Sequence, residues 1–181
     1  MKCYTTLFAL CAGIAVRALE VGQTAPFFTA KDQDGQVWKL EEQLGGKPVL
    51  VYFYPAAMTG GCTKQACAYR DYVAAGDSAF NVVGISADSP EGLKIFQTSE
   101  KLNFPLLSDP GGAVAEEFGV EVKKGVKTIK RMVAGNEVEL TRSATTMRWT
   151  FVIGPDGKII YKSDKVKPTE DLRHVLAALK K

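Results

Sequence analysis

The run from Val49 to Tyr54 constrains the fold more than any other stretch of this 181-residue chain. It joins six aliphatic and aromatic residues without a polar interruption, between Pro48 and Pro55. A strand with one face in water alternates apolar and polar side chains, so an unbroken run predicts a strand that is buried on both faces. Such a strand lies inside a sheet that is covered on both sides.

Strand-like and helix-like patterns alternate along the rest of the chain. The elements predicted in chain order are a hairpin of 27–31 and 37–40, a strand at 49–54, a helix at about 62–79, a strand at 81–86, a helix from 88–91 to about 102, a strand at 104–108, a helix at 113–118, a hairpin of 148–153 and 158–163, and a helix from Pro168. This order predicts one α/β domain with a mostly parallel central sheet between helices. The late hairpin adds antiparallel strands and makes the sheet mixed.

The N-terminal segment has the layout of a secretory signal peptide. After a short positive start, thirteen uncharged, mostly apolar residues extend from Tyr4 to Val16. Compact residues, Val16 and Ala18, stand at the −3 and −1 positions of a cut after Ala18. The run is shorter than the roughly 20 residues of a membrane span. We predict a signal peptide at 1–18 and one domain at 19–181, with an N-terminal core helix as the alternative.

The composition excludes several classes of function. Hydrophobic residues make up 46% of the chain and charged residues 24%, which is typical of a globular protein and argues against disorder and multiple membrane spans. A net charge of +3 is too small to indicate nucleic-acid binding. His174 is the only histidine, which excludes a metal site built on several histidines. We expect no metal, no cofactor, no nucleic-acid partner and no stable membrane insertion.

Two cysteines, Cys62 and Cys67, belong to the predicted mature domain, because Cys3 and Cys11 lie in the signal segment. Cys62 follows the carboxyl end of the central strand, where open α/β sheets form ligand sites. It also opens the predicted helix, and the partial positive charge of a helix N-terminus favours the nucleophilic thiolate. Thr59 can turn its hydroxyl toward the same pocket.

The spacing of Cys62 and Cys67 decides between a structural disulfide and a redox pair. Five residues of helix correspond to about 140° of rotation and about 7.5 Å of rise, whereas disulfide-bonded Cα atoms lie about 4.4–6.8 Å apart. The sulfurs therefore cannot bond while the helix is intact, which disfavours a static disulfide. A pair that bonds only after the first helical turns unwind suits a catalytic cycle.

Gly60 and Gly61 let the backbone pass close to a ligand.

The pattern Pro55-x3-Thr59-x2-Cys62 resembles the active-site motif of peroxiredoxins. The second cysteine, five residues later, is similar to that of the peroxiredoxin Q, or bacterioferritin-comigratory protein, subfamily. The resemblance covers nearly the whole predicted mature chain, including the segments 103–109 and 148–157. It implies a thioredoxin-like fold, with a central mixed sheet flanked by helices and an N-terminal β-hairpin.

The resemblance also implies a role for each residue of the motif. Cys62 would be the peroxidatic cysteine, whose thiolate attacks the O–O bond of a peroxide and becomes a sulfenic acid. Thr59 and the backbone N–H groups of Gly61 and Cys62 would bind the peroxide, and Pro55 would shield the sulfenate from water. Arg148, from a distant strand, would stabilise the thiolate and the charge on the departing oxygen.

In the same family pattern, Cys67 would resolve the sulfenate to an intramolecular Cys62–Cys67 disulfide, which thioredoxin or a thioredoxin-like protein then reduces. We therefore expect an antioxidant, thiol-dependent peroxidase that reduces hydrogen peroxide and organic hydroperoxides and is a monomer. If the signal peptide is cleaved, the enzyme is exported to a periplasm, the medium or an organelle lumen. Otherwise it is cytoplasmic.

Two segments depart from the subfamily pattern. The loop before the cysteine is Ala56-Ala57-Met58, followed by Gly60 where proline is common, which predicts a more apolar pocket lip and a preference for organic hydroperoxides. The segment 121–145, between the short helix and the strand of Arg148, is longer than expected. Its sequence predicts a hairpin with a Gly-Asn turn and a basic first arm. This hairpin is either a solvated surface element or a docking surface for a reductase or for acidic membrane lipids.

Three other functions compete with the peroxidase. An exported thioredoxin-like thiol–disulfide oxidoreductase would use a Cys-x-x-Cys pair, whereas this chain has Cys-x4-Cys. A copper chaperone would need a closer cysteine pair with a histidine in reach, and His174 lies far along the chain. A binding domain with a static disulfide is disfavoured by the helix geometry.

Overall fold

The structure is a computed structural model that describes residues 18–180. The predicted signal peptide, except its last residue, lies outside the described residues. In chain order the elements are β1 (Thr29–Asp32), β2 (Val37–Lys39), a 3-10 turn (Glu41–Gln43), β3 (Val49–Phe53), α1 (Gly60–Ala74), β4 (Asn81–Ser86), α2 (Pro90–Glu100), β5 (Leu106–Ser108), a 3-10 turn (Pro110–Gly112), α3 (Ala113–Glu117), β6 (Val122–Val133), β7 (Asn136–Thr146), β8 (Trp149–Ile153), β9 (Ile159–Ser163) and α4 (Asp171–Leu179). Among these residues, no helix is both long and apolar enough to span a membrane.

Seven strands form one sheet in the order β2-β1-β5-β4-β3-β8-β9. β3 and β5 run parallel to β4, whereas the other four pairings are antiparallel. The mixed sheet is thus confirmed, but the expectation that it is mostly parallel is wrong. The reason is that the N-terminal and late hairpins each extend the sheet with strands that return directly, and β1 joins β5 in the antiparallel sense.

β3 lies in the interior of the sheet, as its unbroken apolar run predicts. All five of its residues are buried, and β4 and β8 pair with it on either side. Gly84 of β4 lies opposite Tyr52, and a Cβ at this glycine would stand 2.7 Å from the tyrosine ring. Glycine is therefore required here to leave room for the aromatic side chain of the neighbouring strand.

Apolar side chains form one core on each face of the sheet. On one face, Phe53 packs against Phe151, with ring centroids 6.1 Å apart. On the other face, Tyr52 packs against Tyr69 of α1, with centroids 5.2 Å apart. Cys62 belongs to this second, aromatic core. The candidate nucleophile therefore sits among packed side chains.

The helix boundaries differ from the sequence prediction at two places. α1 ends at Ala74, five residues before the predicted end, and Gly76 follows with the left-handed φ of +94° that stops helices. α4 begins at Asp171 rather than at Pro168, because the three residues from the proline form a turn. The predicted start of α2 is confirmed, and the Ser89 hydroxyl caps it by accepting a backbone N–H.

The hairpin predicted in the long 121–145 segment is present as β6 and β7, which pair with each other outside the main sheet. Part of its basic arm is neutralised locally, because Lys124 pairs with Glu116 and Lys130 with Glu137. These ion pairs fit a solvated surface hairpin. Docking of a partner on this hairpin stays a prediction.

Candidate active site

Cys62 lies in the first turn of α1, which follows β3 after a six-residue loop. Its side chain is 1% exposed. The helix begins after Thr59, whose carbonyl accepts the first backbone hydrogen bond, from the N–H of Thr63 at 2.8 Å. Within residues 18–180, the N–H groups of Gly61 and Cys62 have no acceptor in hydrogen-bonding range. They are donors left over at a helix N-terminus and can bind an anionic oxygen.

The sheet register places Arg148 beside the thiol. Trp149, the first residue of β8, pairs with Phe53, the last residue of β3, so Arg148 stands at the strand end from which the loop to Cys62 departs. One guanidinium nitrogen, Nη2, donates to Cys62 Sγ at 3.2 Å. The other, Nη1, donates to Gln65 Oε1 at 2.6 Å. The guanidinium thus bridges the thiol and a buried amide on the same helix.

Gly61 is fitted closely into this arrangement. A Cβ at this position would lie 3.4 Å from Arg148 Nη2 and 3.4 Å from the Pro168 ring. Both distances are ordinary van der Waals contacts, so a methyl group at this position would touch both neighbours without displacing them. Gly61 therefore lies directly against the guanidinium, and Pro168 flanks the site ahead of α4.

Thr59 is the N-cap residue of α1, but its hydroxyl does not cap the helix. Instead, its Oγ1 donates to the carbonyl of Ala56 at 3.0 Å. Because the Thr59 hydroxyl already donates its proton to this carbonyl, it can act only as an acceptor toward a bound ligand. Thr59 can therefore accept a hydrogen bond from a peroxide O–H. Pro55, at the start of the same loop, is half-buried.

The loop between β3 and α1 is held from outside by two polar side chains. Asp88 Oδ2 accepts the N–H of Ala57 at 2.8 Å, and Arg131 of β6 donates its Nε–H to the carbonyl of Met58 at 3.1 Å. Met58 has a left-handed φ of 57°, which is uncommon for a residue other than glycine. Burial raises the pKa of Asp88, although its hydrogen bonds and the charge of Arg142 oppose this rise.

Behind the guanidinium lies a buried polar cluster centred on Asp171, the first residue of α4. Its Oδ2 accepts hydrogen bonds from Gln65 Nε2 at 2.7 Å, from the Tyr69 hydroxyl at 2.5 Å and from Thr150 Oγ1 at 2.7 Å. Each of these side chains is at most 1% exposed. The cluster joins α1, β8 and α4, and Arg148 links it to the Cys62 sulfur by hydrogen bonds.

Cys67 occupies a separate environment two turns along α1. It is half-buried, and its Sγ–H donates to Glu100 Oε2, at the end of α2, at 3.6 Å. Burial raises the pKa of the Cys67 thiol, Arg70 counteracts it, and the charge of Glu100 and the hydrogen bond to it raise it further. Both thiols are free, and the helix between them is intact.

The structure brings together Cys62, Gly61 and Arg148, and it places Thr59 and Pro55 on the adjoining loop. Cys67 lies apart from this group, as the spacing along an intact helix predicts. Sequence reasoning missed Gln65, Asp88 and Asp171 as parts of the site. Gln65 could have been found, since a residue three positions after Cys62 shares its helix face. Nothing local marks the other two as parts of the site, because the site groups that they hold, the Ala57 N–H and the Gln65 amide, lie far away in the sequence.

Comparisons with known proteins agree with this fold and motif. The sequence profile of the AhpC/TSA family matches residues 21–162. Peroxiredoxin Bcp of Escherichia coli (strain K12) is 41% identical over 165 residues, which span 90% of this chain and 96% of the relative. The crystal structure of peroxidoxin BcpB from Mycobacterium tuberculosis superposes with a TM-score of 0.72 at 34% identity, over 90% of this chain and 97% of that one. A bacterioferritin comigratory protein of Xanthomonas campestris, whose structural study concerns alkyl peroxide reduction, gives a TM-score of 0.67 at 27% identity, over 84% and 90%.

Proposed function

The chain belongs to the AhpC/TSA family as a peroxiredoxin of the Bcp and Q type, and from this premise we propose that Cys62 and Cys67 carry out its peroxidase reaction in two steps. Family membership makes the protein a peroxidase, while the assignment of the steps to residues is our proposal. The observation that carries it is the contact of 3.2 Å between Arg148 Nη2 and Cys62 Sγ at the N-terminus of α1.

In the first step, the Cys62 thiolate attacks one oxygen of a hydroperoxide. An S–O bond forms, the O–O bond breaks, and the departing alkoxide or hydroxide takes up a proton to leave as an alcohol or water. The unpaired N–H groups of Gly61 and Cys62 and the Arg148 guanidinium face the developing negative charge, where preorganised donors lower a barrier most effectively. Thr59 Oγ1 accepts the hydrogen bond of the peroxide and orients it.

In the second step, the Cys67 thiolate attacks the Cys62 sulfenic acid. The S–S bond forms, the S–OH bond breaks, and the released hydroxide takes up the proton that Cys67 gave up on becoming a thiolate, which gives water. Because the helix holds the two cysteines five residues apart, its first turns must unwind before the sulfurs can meet. A dithiol reductant of the thioredoxin type then returns the disulfide to two thiols.

The apolar loop of Ala56, Ala57 and Met58 supports a preference for organic hydroperoxides. Both alanines are buried, Ala57 belongs to the aromatic core that contains Cys62, and Met58 packs against that core, so an alkyl group at this loop contacts carbon rather than water. The Xanthomonas campestris relative is described in terms of alkyl peroxide reduction. We expect a larger kcat/KM for cumene hydroperoxide than for hydrogen peroxide, and equal values would contradict this preference.

The mechanism is tested by following the fate of each cysteine. One equivalent of hydrogen peroxide is added to the reduced full chain and to its Cys67→Ser variant, and peptides are mapped by mass spectrometry after trapping with a sulfenic-acid reagent. The mechanism predicts a Cys62–Cys67 disulfide in the parent and a trapped sulfenic acid on Cys62 in the variant. If both thiols survive while the protein reduces insulin disulfides, the exported oxidoreductase becomes the better assignment.

A further inference from the structure

We propose that Asp171 is a positioning residue for the peroxide step, because it fixes the orientation of the Gln65 amide and thereby the place of the Arg148 guanidinium at Cys62. This inference rests on the proposed role of Arg148 in the first step. It assigns a function to a buried carboxylate that reaches the site through Gln65, from a helix more than a hundred residues along the chain from that residue.

The chemistry of the three groups permits only one arrangement. An ionised carboxylate only accepts hydrogen bonds, and a guanidinium only donates them. Gln65 lies between the two, with Nε2 toward Asp171 at 2.7 Å and Oε1 toward Arg148 at 2.6 Å. Turning the amide over would set two acceptors against each other on one side and two donors on the other. Asp171 therefore determines which end of the amide faces the arginine.

The carboxylate is itself held in place by the fold. The same oxygen, Oδ2, also accepts the Tyr69 hydroxyl and the Thr150 hydroxyl. Asp171 is 1% exposed and Gln65 is fully buried, so water does not compete for these bonds. Satisfied polar networks of this kind are rigid, and the rigidity passes to Arg148 through a single amide.

Loss of the carboxylate removes the constraint on the amide. With no acceptor at position 171, Gln65 Nε2 loses its partner and only the bond to Arg148 still holds the amide. The amide can then shift, and the guanidinium loses its fixed 2.6 Å anchor. A displacement of a catalytic group by about 1 Å can cost about 100-fold in rate. We expect the rate of sulfenic acid formation to fall by about 10- to 100-fold in Asp171→Ala.

The test measures the second-order rate constant for sulfenic acid formation on Cys62, in a Cys67→Ser background of the full chain that isolates this step. Gln65→Glu is introduced alone and together with Asp171→Ala. Alone, it should slow the reaction, because two carboxylates then face each other in a buried site. Combined with Asp171→Ala, it should restore the rate to within a few-fold of the background, since a carboxylate at position 65 accepts from Arg148 in either orientation.

Asp171→Asn serves as the matched control. Its amide oxygen can replace Oδ2 for all three donors, so this variant should react within a few-fold of the background. Thermal unfolding of each variant shows whether the fold survives. If Asp171→Ala does not fold, Gln65→Glu is combined with Asp171→Asn instead, and this pair should restore the rate that Gln65→Glu alone loses. Equal rates in Asp171→Ala and the background, or no rescue by Gln65→Glu, would overturn the positioning role. A background that forms no sulfenic acid would refute the proposed peroxide step as well.

Discussion

Replacing Glu100 by glutamine should speed the formation of the disulfide at neutral pH without changing the peroxide step. The carboxylate lies 3.6 Å from Cys67 Sγ and raises the pKa of that thiol. A thiol with a raised pKa supplies less of the attacking thiolate at neutral pH. The substitution Glu100→Gln keeps the shape of the side chain and removes its charge.

The size of the effect follows from the distance. Both side chains are half-buried, and even with the full screening of bulk water two unit charges at this separation repel by about 1 kcal/mol, which is the smallest effect expected. Removing the charge therefore raises the thiolate population at neutral pH by at least about fivefold. A less basic thiolate is also a weaker nucleophile, with a Brønsted coefficient of about 0.4–0.5, so the net gain in rate is at least about two- to threefold.

The assay is stopped-flow fluorescence of the reduced protein mixed with excess peroxide, which separates sulfenic acid formation from the slower closure of the disulfide. The second phase of Glu100→Gln should be faster than that of the parent at pH 7, and its pH profile should move to lower pH. Glu117→Gln, an exposed carboxylate on α3, is the control and should change neither phase. A second phase that is unchanged in rate and pH profile would show that Cys67 leaves Glu100 before it reacts, which would refute the reasoning.

Three further predictions concern catalysis, packing and pH. Arg148→Ala removes a hydrogen bond that involves a charged group and is worth about 1.5–3 kcal/mol. The rate of sulfenic acid formation should therefore fall about 10- to 150-fold. A rate within twofold of the parent would contradict the role of the arginine. Gly84→Ala places a methyl group 2.7 Å from the Tyr52 ring and should lower the free energy of unfolding by about 1–3 kcal/mol, as measured by urea denaturation; an unchanged denaturation midpoint would contradict the packing argument. Burial raises the pKa of Asp88, so the folded protein binds the carboxyl proton more tightly than the unfolded chain does. The parent should therefore lose stability relative to Asp88→Asn as the pH rises above about 3.9, the pKa of aspartate in an unfolded chain. A difference in unfolding free energy that stays constant between pH 4 and pH 7 would contradict that sign.

The parts of the fold that the sequence predicts are those with a local cause. β3 is predicted from its unbroken apolar run, and α2 from a capping residue and a proline in its first turn. The antiparallel pairing of β1 with β5 could not be predicted, because it joins segments more than seventy residues apart whose residues alone do not specify a partner. The sheet was therefore predicted as mostly parallel when it is not.

The residues of the candidate site can likewise be predicted from the sequence only in part. The position of Cys62 at a helix N-terminus follows from the strand and glycines before it, and a family resemblance supplied the expectation that Arg148 would be near. The hydrogen bond between Gln65 and Asp171 spans 106 positions, and aspartate at the start of a helix is ordinarily favoured there by the helix dipole. Sequence reasoning thus had no reason to place Asp171 behind the arginine.

The proposed reaction requires that the surroundings of Cys62 make this particular thiol reactive toward peroxide. The most direct measurement compares the second-order rate constants of sulfenic acid formation on Cys62 in Cys67→Ser and on Cys67 in Cys62→Ser, with limiting hydrogen peroxide at pH 7. We expect Cys62, although buried, to react far faster than the more exposed Cys67. Equal rates for the two cysteines, or a faster reaction at Cys67, would contradict it.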